Sequence, residues 1–526
     1  MIVFQPYQVI ILVCSLLLFY FSTVSFFQKK ETVSLTLLLL GAFALRLFLI
    51  LRDPFLHDWD EHFHALVAKN MIAHPFMPML LANPVFPYNY KDWTSNHIWL
   101  HKQPLFLWQM ALSMKLFGVN LFALRLPSAL MGTIQVFFIY RIGKVLKNSS
   151  VAFFSALFFA LSYYQLELTA GSGMDHNDVA FCFYVTASFW AFAEYTRTRR
   201  IHWAVLIGLF SGGAILNKWL TGLIVYFGWV LSFLIANKFV LKALWKQRDE
   251  VLRMILSLAV CALVFLPWQI YAHLRFPLES AYETSYNSKH IFTAVEGHRG
   301  GYAYYLQLIP LQFGYISLLL IPIGLFSIFK SQSYNPILRN AILGSLFGVY
   351  FFFSIIVQTK MRGYPFMMSG TILLLMGIAI EEIVRFTNRS NFISTKKYFL
   401  SLLLLGILVF TLLRLNEILT GSLFTMEKSG DKDYRQRKTY NTEIYKELDQ
   451  LVPKGDLVFN CNQDEEIDAM FFSGHTVYSI CPNKRQLDSL EEKKIRIAVF
   501  ADRKDYEIPT YLKTDSNKLM INRKLK

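Results

Sequence analysis

Charge is what this sequence has least of. Asp, Glu, Lys and Arg make up 17% of its 526 residues, where a soluble chain carries about 25%. The deficit excludes a chain bathed in water along its whole length. Cysteine is also scarce: there are five, with no CxxC and no Cys/His spacing of the zinc-binding kind. Cys14, Cys182 and Cys261 lie in apolar runs and read as packing residues. Cys461 and Cys481 lie in a polar C-terminal segment, where a disulfide in an oxidising compartment and two thiols in a small core both stay open. No Walker loop, no GxGxxG ahead of a strand, no HExxH and no GxSxG occurs, which argues against those nucleotide-binding, metalloprotease and serine-hydrolase chemistries. No internal repeat is visible, which argues against the two-fold transporter folds. The first apolar run lacks a basic leading stretch and a small-residue cleavage site, so it reads as a retained span.

What the sequence has in abundance is hydrocarbon. Hydrophobic types reach 54%, with 48 Phe and 27 Tyr, and the mean hydropathy is +0.37. A span needs about 20 apolar residues. Twelve candidates stand near 8–26, 33–51, 124–143, 150–166, 179–195, 202–216, 219–237, 254–273, 308–329, 339–357, 365–383 and 398–416. The shorter run 103–117 reads as an interfacial helix. With it left out, the basic loops all fall on one side: Lys29–Lys30, Arg141/Lys144/Lys147, Arg197/Arg199/Arg200, Lys238/Lys242/Lys246/Arg248, Lys330/Arg339 and Arg385/Arg389/Lys396/Lys397. That side is the cytoplasm. The net charge of +16 therefore reflects topology, and no nucleic-acid partner is expected. The other side holds loops 52–123, 167–178, 217–218, 274–307 and 358–364 and everything after 417. Residues 430–526 are charged, with strand-like runs at DLVFN, HTVYSI and RIAVFA, and read as a small α/β domain outside the membrane. The expected fold class is thus a polytopic α-helical membrane protein of about twelve spans with a small C-terminal α/β extramembrane domain. Residues 1–30 hold an additional N-terminal span and 31–420 the main membrane domain.

The outer loops carry the chemistry. HDWDEHFHALVAKN follows the second span and places Asp58, Asp60 and Glu61 among His57, His62 and His64. A plain structural reading is an interfacial helix with Asp60 as its N-cap. HIWLHKQPLFLWQ brings Lys102, either a snorkelling lysine or a cation aimed at a lipid phosphate. GSGMDHNDVAFCFY places Asp175 and Asp178 just before a span, where Asp178 also suits a cap; its glycines Gly171 and Gly173 permit close backbone approach. LNKWL gives Lys218, and VQTKMRGYPF gives Lys360, Arg362 and Tyr364. Cations on the outer face run against the topology bias, and a carrier phosphate would account for them as well as membrane anchoring does. Loop 274–307 adds His290, Glu296, His298 and Arg299, too loose a group to define a metal site. An inverting glycosyl transfer needs a carboxylate to take the acceptor proton and cations to stabilise the departing phosphate, both at the membrane surface. These loops contain both.

The motifs resemble those of the GT-C glycosyltransferases, in the branch of the protein O-mannosyltransferases and the lipid A aminoarabinose transferases. DEHFHALVAKN is similar to the branch's DE segment. HKQPLFLW…LFGVNLFALRLPSAL is similar to its KPPL…LFG…RLPSAL block, the most specific match. DHNDVAFCFYV, LNKWLTGLIV, PWQIY and FSIIVQTKMRGYPFMM resemble later blocks, so the likeness runs over about 33–385. It implies a polyprenyl-phosphate-linked sugar as donor, a protein, lipid or surface-glycan acceptor, and an inverting mechanism. It also implies a site on the extracytoplasmic face of a bacterial inner membrane. Position by position, Asp60 becomes the base or acceptor-orienting acid with Glu61 beside it. Lys102, Arg125, Lys218, Lys360 and Arg362, with Tyr364, handle the carrier phosphate. The second acidic position is Asp178 or Asp175. One departure is that His101 stands where the relative has an acid, and Gln103 where it has the first proline. A zinc ion near the corresponding place implies His101 and His290 as ligands, against the reading of solvated or hydrogen-bonded imidazoles. Two rivals share the topology: a secondary transporter, which would put its ionisable groups at mid-membrane, and a non-catalytic carrier-binding protein.

Overall fold

The computed structural model describes residues 4–170, 175–240, 247–388, 392–420, 433–503, 508–513 and 518–526. Gly171 and Gly173 of the second loop, and Lys242, Lys246 and Arg389 of the basic loops, lie outside them. The first two helices, Pro6–Phe27 and Glu31–Ile50, form a hairpin turned at Lys29 (φ 61°). Small and hydroxyl residues let their backbones approach, as in lipid-embedded helix pairs. Ser15 Oγ donates to Gly41 O (2.9 Å), and Ser22 and Ser34 each donate to the other's carbonyl (2.7 and 2.9 Å).

Among the described residues, seven helices are long and apolar enough to cross a membrane, or up to nine if two bent pairs are each one span. Twelve were expected. One bent pair is Ser149–Leu161 with Tyr163–Thr169 (47°) and the other Tyr304–Phe313 with Ser317–Lys330 (106°); Gly314 (φ 76°) makes the second bend. The expected spans at 202–216 and 219–237 are the helices Ile201–Lys218 and Ile224–Ala236, separated by a 3₁₀ turn where Trp219 has φ 57°. The expected span 179–195 lies in His176–Thr198, which is largely buried within the bundle and too polar to qualify by composition. The 103–117 run forms the helix Leu105–Phe117. Its 13 residues rise about 20 Å, short of the roughly 30 Å of hydrocarbon.

The C-terminal segment is not set apart. A parallel sheet of three strands, β1 (Leu457–Phe459), β2 (Ile497–Arg503) and β3 (Leu519–Leu525), runs in the order β1-β2-β3. The HTVYSI run lies alongside β1, with Val458 N donating to Thr476 O and Tyr478 N to Val458 O (3.0 and 2.8 Å), and pairs there through a bridge, Val458 to Val477. Leu448, Met470 and Phe471 bury themselves against Phe63, Leu66 and Val67 of the loop 52–123 in one hydrophobic cluster. The Cys461 Sγ in this segment faces the Tyr445 hydroxyl.

Candidate active site

The first loop is pinned before it reaches the site. Arg125, from the helix Leu121–Leu146, holds Glu61 with two bonds: Nε to Oε1 at 2.6 Å and Nη2 to Oε2 at 3.0 Å. The same guanidinium donates to the carbonyls of Ile50, Asp53 and Phe55 (3.3, 2.7 and 2.6 Å), and both side chains are fully buried. Burial would raise the Glu61 carboxyl, but Arg125 outweighs it and holds the group well below the usual range. Glu61 and Arg125, expected at the acid and the phosphate, are thus engaged with each other. The His57 N–H also donates to Glu61 Oε2 (2.8 Å).

Asp60 is the first residue of the helix Asp60–Met71; the N-cap is Trp59, whose side chain makes no capping bond. The cap reading of Asp60 is thereby corrected. Trp59 has φ 66° and ψ −124°, strained for a residue with a Cβ. Beyond it the Asp60 carboxylate is half-open to solvent (38%), with Oδ1 3.4 Å from Lys102 Nζ. Burial would lower the Lys102 ammonium, but Asp60, Asp175 and Asp178 together raise it, so it stays charged.

The two candidate aspartates of the second loop have different contacts, and Asp175 also lies close to Asp60 and His64. Asp175 is the N-cap of His176–Thr198, accepting from Asn177 N (2.9 Å) and Asp178 N (3.2 Å). Asp178, one turn on, forms an ion pair with Lys218, the last residue of Ile201–Lys218. Burial pushes the Asp178 carboxyl up to about 6, although Lys218 pulls it down. Gly363 lies directly against this carboxylate: a Cβ there would come within 2.4 Å of Asp178 Oδ2. Lys218 Nζ also lies 6.0 Å from the Tyr364 ring, and Tyr364 Oη meets His290 Nδ1 at 3.1 Å.

Lys360 does not join them. It is buried, and its ammonium donates to the carbonyls of Phe353 (2.7 Å), Ser354 (2.9 Å) and Val357, closing the π-helical turn Phe352–Ile356. Arg362 is exposed on the same loop. His101 stacks on Trp93 (4.5 Å, 7°) with Nδ1 3.5 Å from Glu283, whereas His290 bonds Tyr364. Among the described residues, neither belongs to a cluster of three or more ligating side chains. The residues present do not supply a preformed zinc centre there.

The comparisons with known proteins agree with this architecture. Residues 101–271 match the family model described as dolichyl-phosphate-mannose-protein mannosyltransferase. An undecaprenyl phosphate-alpha-4-amino-4-deoxy-L-arabinose arabinosyl transferase of Pseudomonas aeruginosa (strain LESB58) is 30% identical over 260 residues, 47% of this chain and 42% of that one. One from Pseudomonas fluorescens (strain Pf0-1) is 33% identical over 178 residues, 32% of this chain and 29% of that one. The chain thus spans less than half the length of these relatives. Among solved structures, ArnT from Cupriavidus metallidurans bound to undecaprenyl phosphate superposes with a TM-score of 0.60 at 16% identity, covering 88% of both chains. The archaeal oligosaccharyltransferase AglB from Archaeoglobus fulgidus, in complex with an inhibitory peptide and a dolichol-phosphate, gives 0.56 at 11%, covering 85% of this chain and 64% of that one. The chain is an integral membrane protein with the fold of these GT-C proteins. The resemblance read in its motifs, to the mannosyltransferase and aminoarabinose-transferase branch, is borne out.

Proposed function

We propose that the chain transfers a sugar from a polyprenyl-phosphate carrier to an acceptor hydroxyl or phosphate on the extracytoplasmic face of a bacterial inner membrane. The observation that carries this reading is the alternation of two carboxylates and two ammonium groups at one end of the helix bundle: Asp60 beside Lys102, and Asp178 beside Lys218. Asp60 is the partly open acid and serves as base. For a hydroxyl acceptor, the oxygen attacks the anomeric carbon, its proton passes to Asp60, and the bond to the carrier phosphate breaks with its electrons leaving on the phosphate. Lys102 and Lys218, with exposed Arg362, stabilise that phosphate. Asp178 orients Lys218, Asp175 holds the helix that carries Asp178, and Glu61 with Arg125 fixes the loop that carries Asp60. Lys360 supports the backbone of the last loop. The curated relatives are named for an undecaprenyl-phosphate-linked aminoarabinose donor, which makes that the first donor to test. The assay is release of free polyprenyl phosphate by the purified chain in liposomes, across a panel of carrier-linked sugars and acceptors. Release with one donor supports the reading. Absence of release across the panel from folded protein, with substrate flux instead, would favour a transporter.

A further inference from the structure

The segment beyond residue 433 does more than cover the loop. The turn that aims Asp60 has little support of its own: Trp59 lies at φ 66° with no side-chain cap on the helix it starts, and the His57 backbone N–H to Glu61 Oε2 bond (2.8 Å) spans it. Strained backbone of this kind persists where its surroundings over-determine it. On one side the support is Glu61, held by Arg125. On the other it is Asp58, held from a distant helix: Lys438 Nζ, 380 residues away, donates to Asp58 Oδ1 at 2.9 Å, and the Tyr434 hydroxyl bonds the same carboxylate.

Lys438 lies on the helix Tyr434–Leu451 and is 2% exposed. Its ammonium also bonds the fully buried Asp468, whose other oxygen lies 3.3 Å from His62 Nδ1, one turn along the loop helix. Burial would lower this ammonium, but Asp468 and Asp58 raise it well above its ordinary value, so it carries full charge. Two further contacts bracket it. Arg435 pairs with Asp53 ahead of the turn. Lys69, at the far end of the loop helix, donates to the carbonyls of Met470, Phe471 and Ser473 (2.7, 3.0 and 2.5 Å). The contacts therefore run along 53–69, and Lys438 alone of the three cations bonds a residue of the turn itself.

Resting on the proposed transfer reaction, we infer that Lys438 is a positioning residue for Asp60. It fixes Asp58, Asp58 fixes the Trp59 turn, and the turn sets the Asp60 carboxylate against Lys102. The C-terminal segment is on this account part of the active site, acting through one buried ammonium.

The test uses the full chain in liposomes with undecaprenyl-phosphate-linked 4-amino-4-deoxy-L-arabinose as donor. Lys438→Met is expected to lower kcat on the order of 10–100-fold, the scale of a misplacement near 1 Å, with donor KM little changed. Asp468→Asn/Lys438→Met removes the more deeply buried carboxylate charge with the lysine. It should regain thermal stability and stay slow. Lys69→Met, which cuts the same interface away from the turn, should lose stability and keep its kcat. Full turnover in either Lys438 variant, or kcat falling in step with stability in all three, would overturn the inference. Amide hydrogen exchange over 57–61 gives a reading without turnover: protection should drop about tenfold or more in Lys438→Met and persist in Lys69→Met. Unchanged exchange there sinks the inference even if the donor is wrong, whereas loss of protection with a silent wild type would count against the proposed reaction alone.

Discussion

Replacing Arg125 by Met should be among the single changes most damaging to the first loop. The guanidinium makes five hydrogen bonds, two to Glu61 and three to the carbonyls of Ile50, Asp53 and Phe55. Neither Arg125 nor Glu61 has any solvent-exposed surface. Met has a comparable aliphatic stem, so cavity effects are small. What remains is a buried carboxylate that has lost its guanidinium and keeps the His57 backbone N–H (2.8 Å) and the His176 ring (3.6 Å); breaking a buried pair this way costs about 3–5 kcal/mol. The three carbonyls left without this donor push toward the upper end of that range. Unfolding in mixed micelles with increasing denaturing detergent measures the difference against wild type. Removing both charges, as Arg125→Met/Glu61→Gln, should recover most of the loss, because a neutral pair leaves no uncompensated ion. A loss below about 1 kcal/mol for Arg125→Met, the range of exposed pairs, would refute the reasoning and mean that water reaches Glu61.

The Asp178–Lys218 pair predicts a pH profile. With Asp178 pushed up to about 6, its carboxylate is protonated as pH falls through that value, and turnover should fall with it. Lys218→Met removes the group that pulls this pKa down, so any acidic limb that remains should move to higher pH; in Asp178→Asn it should vanish. The stability linkage has the opposite sense: the native state binds this proton more tightly than the unfolded chain, so the contribution is present below the ordinary value of 3.8 and lost as pH rises through about 6. Titrating turnover and stability of the three proteins from pH 4 to 8 checks both signs. Gly363→Ala should keep the fold, since Gly363 has φ −77°, yet its Cβ would meet Asp178 Oδ2, push that carboxylate aside and lower turnover about tenfold or more; wild-type rates would show that Asp178 moves aside freely.

How far the sequence could reach depended on whether a contact was local. Asp60 and Lys102 each stand out in the sequence as a charged group of the loop 52–123, and the structure brings the two to 3.4 Å. The choice between Asp175 and Asp178 was not legible. Both suit a helix start, and only the place where Ile201–Lys218 ends shows which one meets Lys218. Lys360 reads as a phosphate cation because the pattern of basic loops assigns it to the outer side, but a π-helical turn offers it three carbonyls. Gly363 was passed over because its meaning lies in a carboxylate 185 residues earlier in the chain. Lys438 left a faint signal: it falls on the buried stripe of its helix with Tyr434, Asn441 and Tyr445, and a lysine on such a stripe needs a buried partner. Twelve apolar runs meet seven to nine candidate spans among the described residues because polar residues lower the hydropathy of His176–Thr198, Ile201–Ala236 counts as one stretch and Tyr398–Thr411 is short.

The central claim is that Asp60 takes the acceptor proton while the cations hold the carrier phosphate. Its most direct measurement is turnover of Asp60→Asn beside wild type, with donor affinity measured separately by equilibrium binding of the undecaprenyl-phosphate-linked sugar. Wild type should release free carrier phosphate, and Asp60→Asn should bind the donor as tightly but release carrier phosphate at least about 100-fold more slowly. Equal release by both proteins would contradict it.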